Sequence, residues 1–191
     1  MDVDPVPGCD SGEDCRPGNE VVPGSKGGER MFTAHEVFDL AVQIEENGER
    51  FYRDGMEKVD DSAVRSLLEK LADEEVRHRE TFYRMKRELG RQDEDLWADR
   101  ISGAVLQSFI EDRAFSLEEA DFASVRDEGT LLQIAVGFEK DSITFYEILL
   151  SFSPSAETAE LIRAVIAEEH RHIGLLEEMA GELAAKPLTD K

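Results

Sequence analysis

The feature that most constrains this 191-residue chain is a gapless internal repeat that sets acidic side chains at matching heights on four helix-like segments. Ala41-Val42-Gln43-Ile44-Glu45-Glu46 is answered by Ala135-Val136-Gly137-Phe138-Glu139-Lys140, an offset of 94 residues. The same offset carries Phe51-Tyr52 onto Phe145-Tyr146. It also carries Glu74-Glu75-Val76-Arg77-His78 onto Glu168-Glu169-His170-Arg171-His172. The chain therefore reads as two copies of one helical hairpin, and glutamate, histidine and tyrosine are the residues that repeat best.

Apolar residues at spacings of three and four mark the core-facing row of each helix. The four rows are Phe38, Ala41, Glu45, Gly48, Tyr52; Leu68, Leu71, Glu75, His78, Phe82, Met85, Leu89; Leu132, Ala135, Glu139, Ser142, Tyr146, Leu149; and Ile162, Val165, Glu169, His172, Leu176, Met179, Leu183. Each row is interrupted at mid-height by a glutamate, and two also carry a histidine one turn later.

A buried carboxylate costs several kcal/mol even after relaxation. Four together repel one another and tend to protonate. No lysine or arginine lies on the four rows to compensate. Two divalent cations would balance the four negative charges, with neutral imidazoles completing the ligand set. Glu-x-x-His places both groups on one helix face. One glutamate from each of two helices, plus a Glu-x-x-His from each of the other two, is how carboxylate-bridged helix bundles hold two iron or manganese ions. In a chain that is 35% charged a lone Glu-x-x-His means little. Two of them, each 30 residues after a stripe glutamate, are a far more specific signal.

The spacing predicts helices from about Thr33 to Lys58, Ser62 to Leu89, Gly129 to Phe152, and from Ser153-Pro154 to about Leu183. Thr33-Ala34-His35-Glu36 reads as a capping box at the first start, Gly90 as a stop, and Pro154 as a first-turn residue of the last helix. Residues 91–128 are too long for a turn. Helical pieces are expected there from about Asp93 to Ala114, and after a capping box at Ser116-Leu117-Glu118-Glu119. No segment alternates like a strand. The expected fold is all-α: a ferritin-like four-helix bundle with one long crossover between helices 2 and 3, which lets those two run parallel.

Residues 1–30 contain four of the six prolines and six of the fourteen glycines. They are expected to be a disordered acidic tail, residues 31–185 the bundle, and 186–191 a short C-terminal tail. Cys9 and Cys15 in the first tail read as free thiols, since two ligands without a nearby histidine do not complete a tetrahedral site. The formal net charge is −22, which argues against nucleic acid and against anionic lipid. No apolar run reaches membrane-spanning length. Met1-Asp2-Val3-Asp4-Pro5 lacks the basic and apolar regions of a signal peptide, so a cytoplasmic setting is expected.

The segments Ile44–Tyr52, Glu74–His78, Phe138–Tyr146 and Glu168–His172 resemble the rubrerythrin family of ferritin-like di-iron proteins, over about residues 33–183. The resemblance implies that Glu45, Glu75, His78, Glu139, Glu169 and His172 bind two iron ions, with manganese as the other candidate. The bridging pair would be Glu75 with Glu169, or Glu75 with Glu139. The chain departs from the family in two ways. It has no paired Cys-x-x-Cys motifs of a rubredoxin-like domain, which implies an external electron donor, rubredoxin-like or another reductase. The extra family carboxylate one turn after the helix 3 ligand is replaced by Ser142, and the matching place in helix 1 is Gly48.

The resemblance implies a non-haem di-iron oxidoreductase that reduces peroxide or dioxygen, as a homodimer. Alternatives are ferritin-like iron oxidation and storage, a di-manganese catalase, and a metal-stabilised helical binding module. Tyr52 and Tyr146, two turns after Glu45 and Glu139, read either as hydrogen-bond partners of ligand carboxylates or as core aromatics. Glu46, Glu74 and Glu168 read as solvated neighbours of ligands. His35 and His170 read as exposed, Trp97 and Phe109 as packing residues, and Met85 and Met179 as core fillers.

Overall fold

The computed structural model describes residues 32–90, 125, 127–153 and 155–185. The expected tails at 1–30 and 186–191, the helical pieces of the crossover, the Ser116 capping box, Cys9, Cys15, Trp97 and Phe109 lie outside these residues. Four helices carry the described chain: α1 (Ala34–Met56), α2 (Ser62–Glu88), α3 (Glu128–Phe152) and α4 (Ala156–Ala185). The protein is an all-α four-helix bundle, with no strand among the described residues.

The helix boundaries follow from local capping chemistry. Thr33 closes a capping box with Glu36: the Thr33 side chain accepts from the Glu36 amide at 3.2 Å, and Glu36 accepts from the Thr33 amide at 2.9 Å. Asp61 caps α2 by accepting from Ala63 N and Val64 N, and Asp127 caps α3 by accepting from Thr130 N at 2.7 Å. The Glu128 carboxylate accepts from the amides of Asp60 and Asp61, at 2.9 and 2.8 Å, and so ties the α1–α2 turn to the start of α3. One boundary differs from expectation. α4 starts at Ala156, and its cap is Ser155, whose hydroxyl accepts from Thr158 N at 3.1 Å, rather than Ser153.

Contacts fix the helix directions. Arg53 pairs with Asp73, Arg79 with Glu49 and Lys86 with Asp39, so α1 and α2 are antiparallel. Tyr52 bonds Glu139 while Tyr146 bonds Glu45, so α1 and α3 are antiparallel. α2 and α3 consequently run parallel, as a single crossover requires.

The residues of the four predicted rows are buried, save that Leu89, Met179 and Leu183 are half-buried. They form two apolar clusters. One gathers Phe38, Ala41, Phe82, Met85, Leu149, Ile162 and Val165. The other gathers Phe51, Leu68, Leu71, Leu131, Leu132, Ala135 and Leu176. Glutamates and histidines fill the layer between them. Burying the apolar rows stabilises the bundle at roughly 25 cal/mol per Å², and that framework holds the polar layer in place. No helix among the described residues is long and apolar enough to cross a membrane.

Candidate metal centre

The six residues expected from the rows converge. Glu45, Glu75, Glu139, Glu169, His78 and His172 are all at most 3% exposed. Their ligand-competent atoms form two overlapping groups, each lying within 4.8 Å: Glu45, Glu75, His78 and Glu169; and Glu75, Glu139, Glu169 and His172. Glu75 and Glu169 belong to both groups, whereas Glu139 belongs to one. The two imidazole rings stack with centroids 5.5 Å apart. Each points Nδ1 inward: His78 Nδ1 lies 2.9 Å from Glu169 Oε1, and His172 Nδ1 lies 2.9 Å from Glu169 Oε2.

The donor set fits a pair of cations. Glu75 Oε1, Glu139 Oε2, both Glu169 oxygens and His78 Nδ1 are buried without a hydrogen bond of acceptable geometry. Unsatisfied buried polar atoms are costly, and here they all face one small volume. The set is oxygen-rich with two imidazoles, which suits iron or manganese rather than thiolate-seeking metals.

The charge strain shows in the proton affinities of the metal-free cluster. Burial, then the charges of Glu169, Glu139 and Glu45, drive the Glu75 carboxyl well above its ordinary range. Burial and Glu169 push Glu139 up to about 8. Burial opposes charge on His78, but the close carboxylates of Glu169 and Glu45 outweigh it and raise the ring to about 12. Glu139 and Glu169 likewise raise His172 to about 10 against the effect of burial. Glu169, despite its burial, is drawn down to about 2 by the two histidines. Without cations, protons hold the cluster together.

Tyr52 and Tyr146 are fully buried, and each hydroxyl donates to a stripe carboxylate: Tyr52 to Glu139 and Tyr146 to Glu45. The tyrosines thus serve the opposite repeat, not the glutamate two turns before them. Burial and the neighbouring carboxylates raise both phenols, which keeps them as donors.

Two further carboxylates join the site against expectation. Glu74 is buried, not solvated, with Oε2 at 2.8 Å from His172 Nε2. Burial alone would raise its carboxyl, but His172 and Arg171 outweigh burial and hold it low. Glu168 is half-exposed, with Oε2 at 2.9 Å from His78 Nε2. The two histidines are therefore held from outside by carboxylates of the facing helix. The 94-residue repeat pairs Glu74 with Glu168 and is the signal that could have found them. Glu46 is half-buried and accepts from Tyr83 OH at 3.3 Å. His170 is exposed as expected, and His35 is half-buried rather than exposed. Ser142 bonds Phe138 O at 3.2 Å. An added Cβ on Gly48 would meet Phe138 Cε1 at 3.0 Å and Glu75 Cδ at 3.2 Å.

A family model described as Rubrerythrin matches residues 36–121. That stretch of the chain is similar to the Rubrerythrin family. Its fold is shared by a solved Thermotoga maritima protein, provisionally named a ferritin-like diiron-carboxylate protein, with a TM-score of 0.60. That match is 23% identical and covers 81% of this chain and 99% of the other. No curated protein matches the chain at a significant level. The chain presents a buried Glu/His cluster compatible with a di-metal centre.

Proposed function

We propose that this chain binds two iron ions in the Glu/His layer and reduces peroxide or dioxygen with electrons from an external donor, rubredoxin-like or another reductase. The observation that carries the reading is the pair of overlapping ligand groups sharing Glu75 and Glu169. In this reading Glu75 and Glu169 would be shared between the two ions, Glu45 and His78 would help hold one, and Glu139 and His172 would help hold the other. When bound, the two ions supply a two-electron redox change that no side chain here can provide.

The side chains do the rest. Glu74 and Glu168 accept the Nε2 protons of His172 and His78, which leaves each Nδ1 free as a ligand and fixes the ring plane. Tyr52 and Tyr146 hold one oxygen of Glu139 and of Glu45 and thereby set the orientation of those carboxylates. The apolar clusters on either side keep bulk water out. Ser142 stands where the family resemblance places a further carboxylate, so the site works with six ligands. The sequence-based expectations of a homodimer and a cytoplasmic setting belong to the same proposal.

The test is metal analysis of chain purified without oxygen, followed by stopped-flow oxidation with peroxide. Two irons per chain with fast oxidation supports the reading. Bound metal without oxidation supports a metal-stabilised binding module instead, and uptake of many irons per chain supports storage. Tight manganese with peroxide dismutation in the absence of a reductant supports a catalase.

A further inference from the structure

Glu74 and Glu168 each stand behind a histidine of the cluster, and one exposed guanidinium reaches both of them. Arg171 Nη1 lies 3.4 Å from Glu74 Oε1 and 3.5 Å from Glu74 Oε2, across the boundary between α4 and α2. Arg171 Nη2 lies 3.8 Å from Glu168 Oε2 on its own helix. The same carboxylates meet the two imidazoles: Glu74 Oε2 is 2.8 Å from His172 Nε2, and Glu168 Oε2 is 2.9 Å from His78 Nε2. A chain of polar contacts therefore runs from His172 through Glu74, Arg171 and Glu168 to His78. It joins the outer edges of the two rings whose inner edges face Glu169.

The repeat supplies a comparison, because the 94-residue offset carries Arg77 onto Arg171. Each arginine pairs with the glutamate three residues before it, Arg77 with Glu74 at 3.2 Å and Arg171 with Glu168. Arg171 also crosses to the facing helix. Among the described residues Arg77 does not: its other contact is the Asp73 carbonyl of its own helix, 3.3 Å from Nε. Glu74 thus receives two guanidinium contacts and Glu168 one. A planar guanidinium has several donors in a rigid fork and can hold two carboxylates at once, whereas a lysine presents one nitrogen on a flexible stem.

We infer that Arg171 is a positioning residue for the two-ion site: its guanidinium ties Glu74 to Glu168 and through them fixes both ligand imidazoles. The inference rests on the metal binding proposed above and adds to it a residue outside the ligand set. Once His172 is held by an ion, Glu74 and Arg171 are held with it. Glu168 and His78 are then ordered in advance, so less freedom is lost when the second ion binds. Glu168 depends on Arg171 more than Glu74 does, because Glu74 keeps Arg77.

The test is anaerobic titration of the full, chelator-treated chain with Fe(II) against a competing chelator of known affinity. It is run at physiological salt, where repulsion between the guanidinium and the ions is largely screened beyond about 8 Å. Arg171→Ala should weaken binding of both ions, by about two- to fivefold each, the range expected of half-exposed ion pairs. The metal-free variant should keep the helical circular dichroism of wild type. Arg171→Lys keeps the charge but offers one nitrogen to two carboxylates, and should recover only part of the loss. Arg77→Ala leaves Glu168 in place and should cost less than Arg171→Ala. In a chain already carrying Glu74→Gln and Glu168→Gln, Arg171→Ala should cost nothing further. If wild type binds two irons and Arg171→Ala binds them as tightly or more tightly, the positioning role is overturned and the proposed function stands. Full recovery in Arg171→Lys, or an undiminished loss in the chain without the two glutamates, shows that charge alone acts at this position and overturns it as well. A wild-type chain that binds no iron removes the proposed function, and this inference with it.

Discussion

His172 on α4 and Glu74 on α2 are joined by a 2.8 Å contact between Nε2 and a carboxylate oxygen, and both side chains are buried. A carboxylate behind a ligating imidazole fixes its tautomer and orientation, and its loss typically costs 10–100-fold in metal affinity. Glu74→Ala should therefore weaken metal binding by about that factor, read by titration against a chelator of known affinity. Glu74→Gln keeps an acceptor for Nε2 and should lose less. Glu168→Ala should have the smaller effect of the two alanine variants, because Glu168 is half-exposed and water can take its place behind His78. Wild-type affinity in Glu74→Ala would show that the contact does not orient a ligand.

Sharing of ligands sets a second expectation. Glu75 belongs to both groups of ligand atoms, while Glu45 and Glu139 each belong to one. Glu75→Ala should reduce metal content from about two ions per chain toward zero. Glu45→Ala and Glu139→Ala should each leave a site with three protein donors and retain about one ion. Elemental analysis against protein concentration distinguishes the cases, and equal losses in all three variants would contradict the bridging assignment.

These roles were legible in the sequence to different depths. A carboxylate on a 3.6-period apolar row is conspicuous, because the row can only face the core; Glu45, Glu75, Glu139 and Glu169 stood out for that reason, and the histidines with them. Glu74 was not conspicuous. It sits about 100° around the helix from Glu75, where a glutamate is ordinarily solvated, and only the close antiparallel approach of α4 buries it against His172. The crossed partners of Tyr52 and Tyr146 were hidden for the same reason. A tyrosine two turns after a glutamate says nothing about which carboxylate it meets until the direction of α3 relative to α1 is known. The start of α4 was lost to a purely local ambiguity between Ser153 and Ser155, both competent caps.

The proton affinities predict opposite pH responses with and without metal. His78 and His172, raised to about 12 and 10, and Glu139, raised to about 8, bind protons more tightly folded than unfolded, as does Glu75. Stability from such groups is present below their unfolded values and is lost as pH rises toward the folded ones. The chelator-treated chain should thus melt at lower temperature at pH 9 than at pH 6. Metal requires neutral imidazole and ionised carboxylate, so loading near pH 7 should release protons from these groups, about two to four per pair of ions, and affinity should rise with pH. Calorimetry in buffers of different ionisation enthalpy counts the protons. A chelated chain that gains stability with rising pH would contradict the charge pattern.

Gly48 and Gly137 predict opposite outcomes from the same substitution. Alanine is favoured over glycine inside a helix by roughly 1 kcal/mol. At Gly137 an added Cβ meets nothing within 4 Å, so Gly137→Ala should raise Tm by about 2–4 °C in a chain of this size. At Gly48 the same Cβ would stand 3.0 Å from Phe138 Cε1 and 3.2 Å from Glu75 Cδ. The Phe138 ring cannot easily yield, because it is stacked on Phe51 at a centroid distance of 6.2 Å. Overpacking of this kind costs about 1–3 kcal/mol, enough to cancel or exceed the helical gain. Gly48→Ala should therefore lower Tm, or leave it unchanged, and weaken metal binding by displacing Glu75. Thermal melts of the metal-free variants, paired with metal titration, separate the two effects. A Gly48→Ala chain as stabilised as Gly137→Ala would show that the space beside Glu75 is not needed.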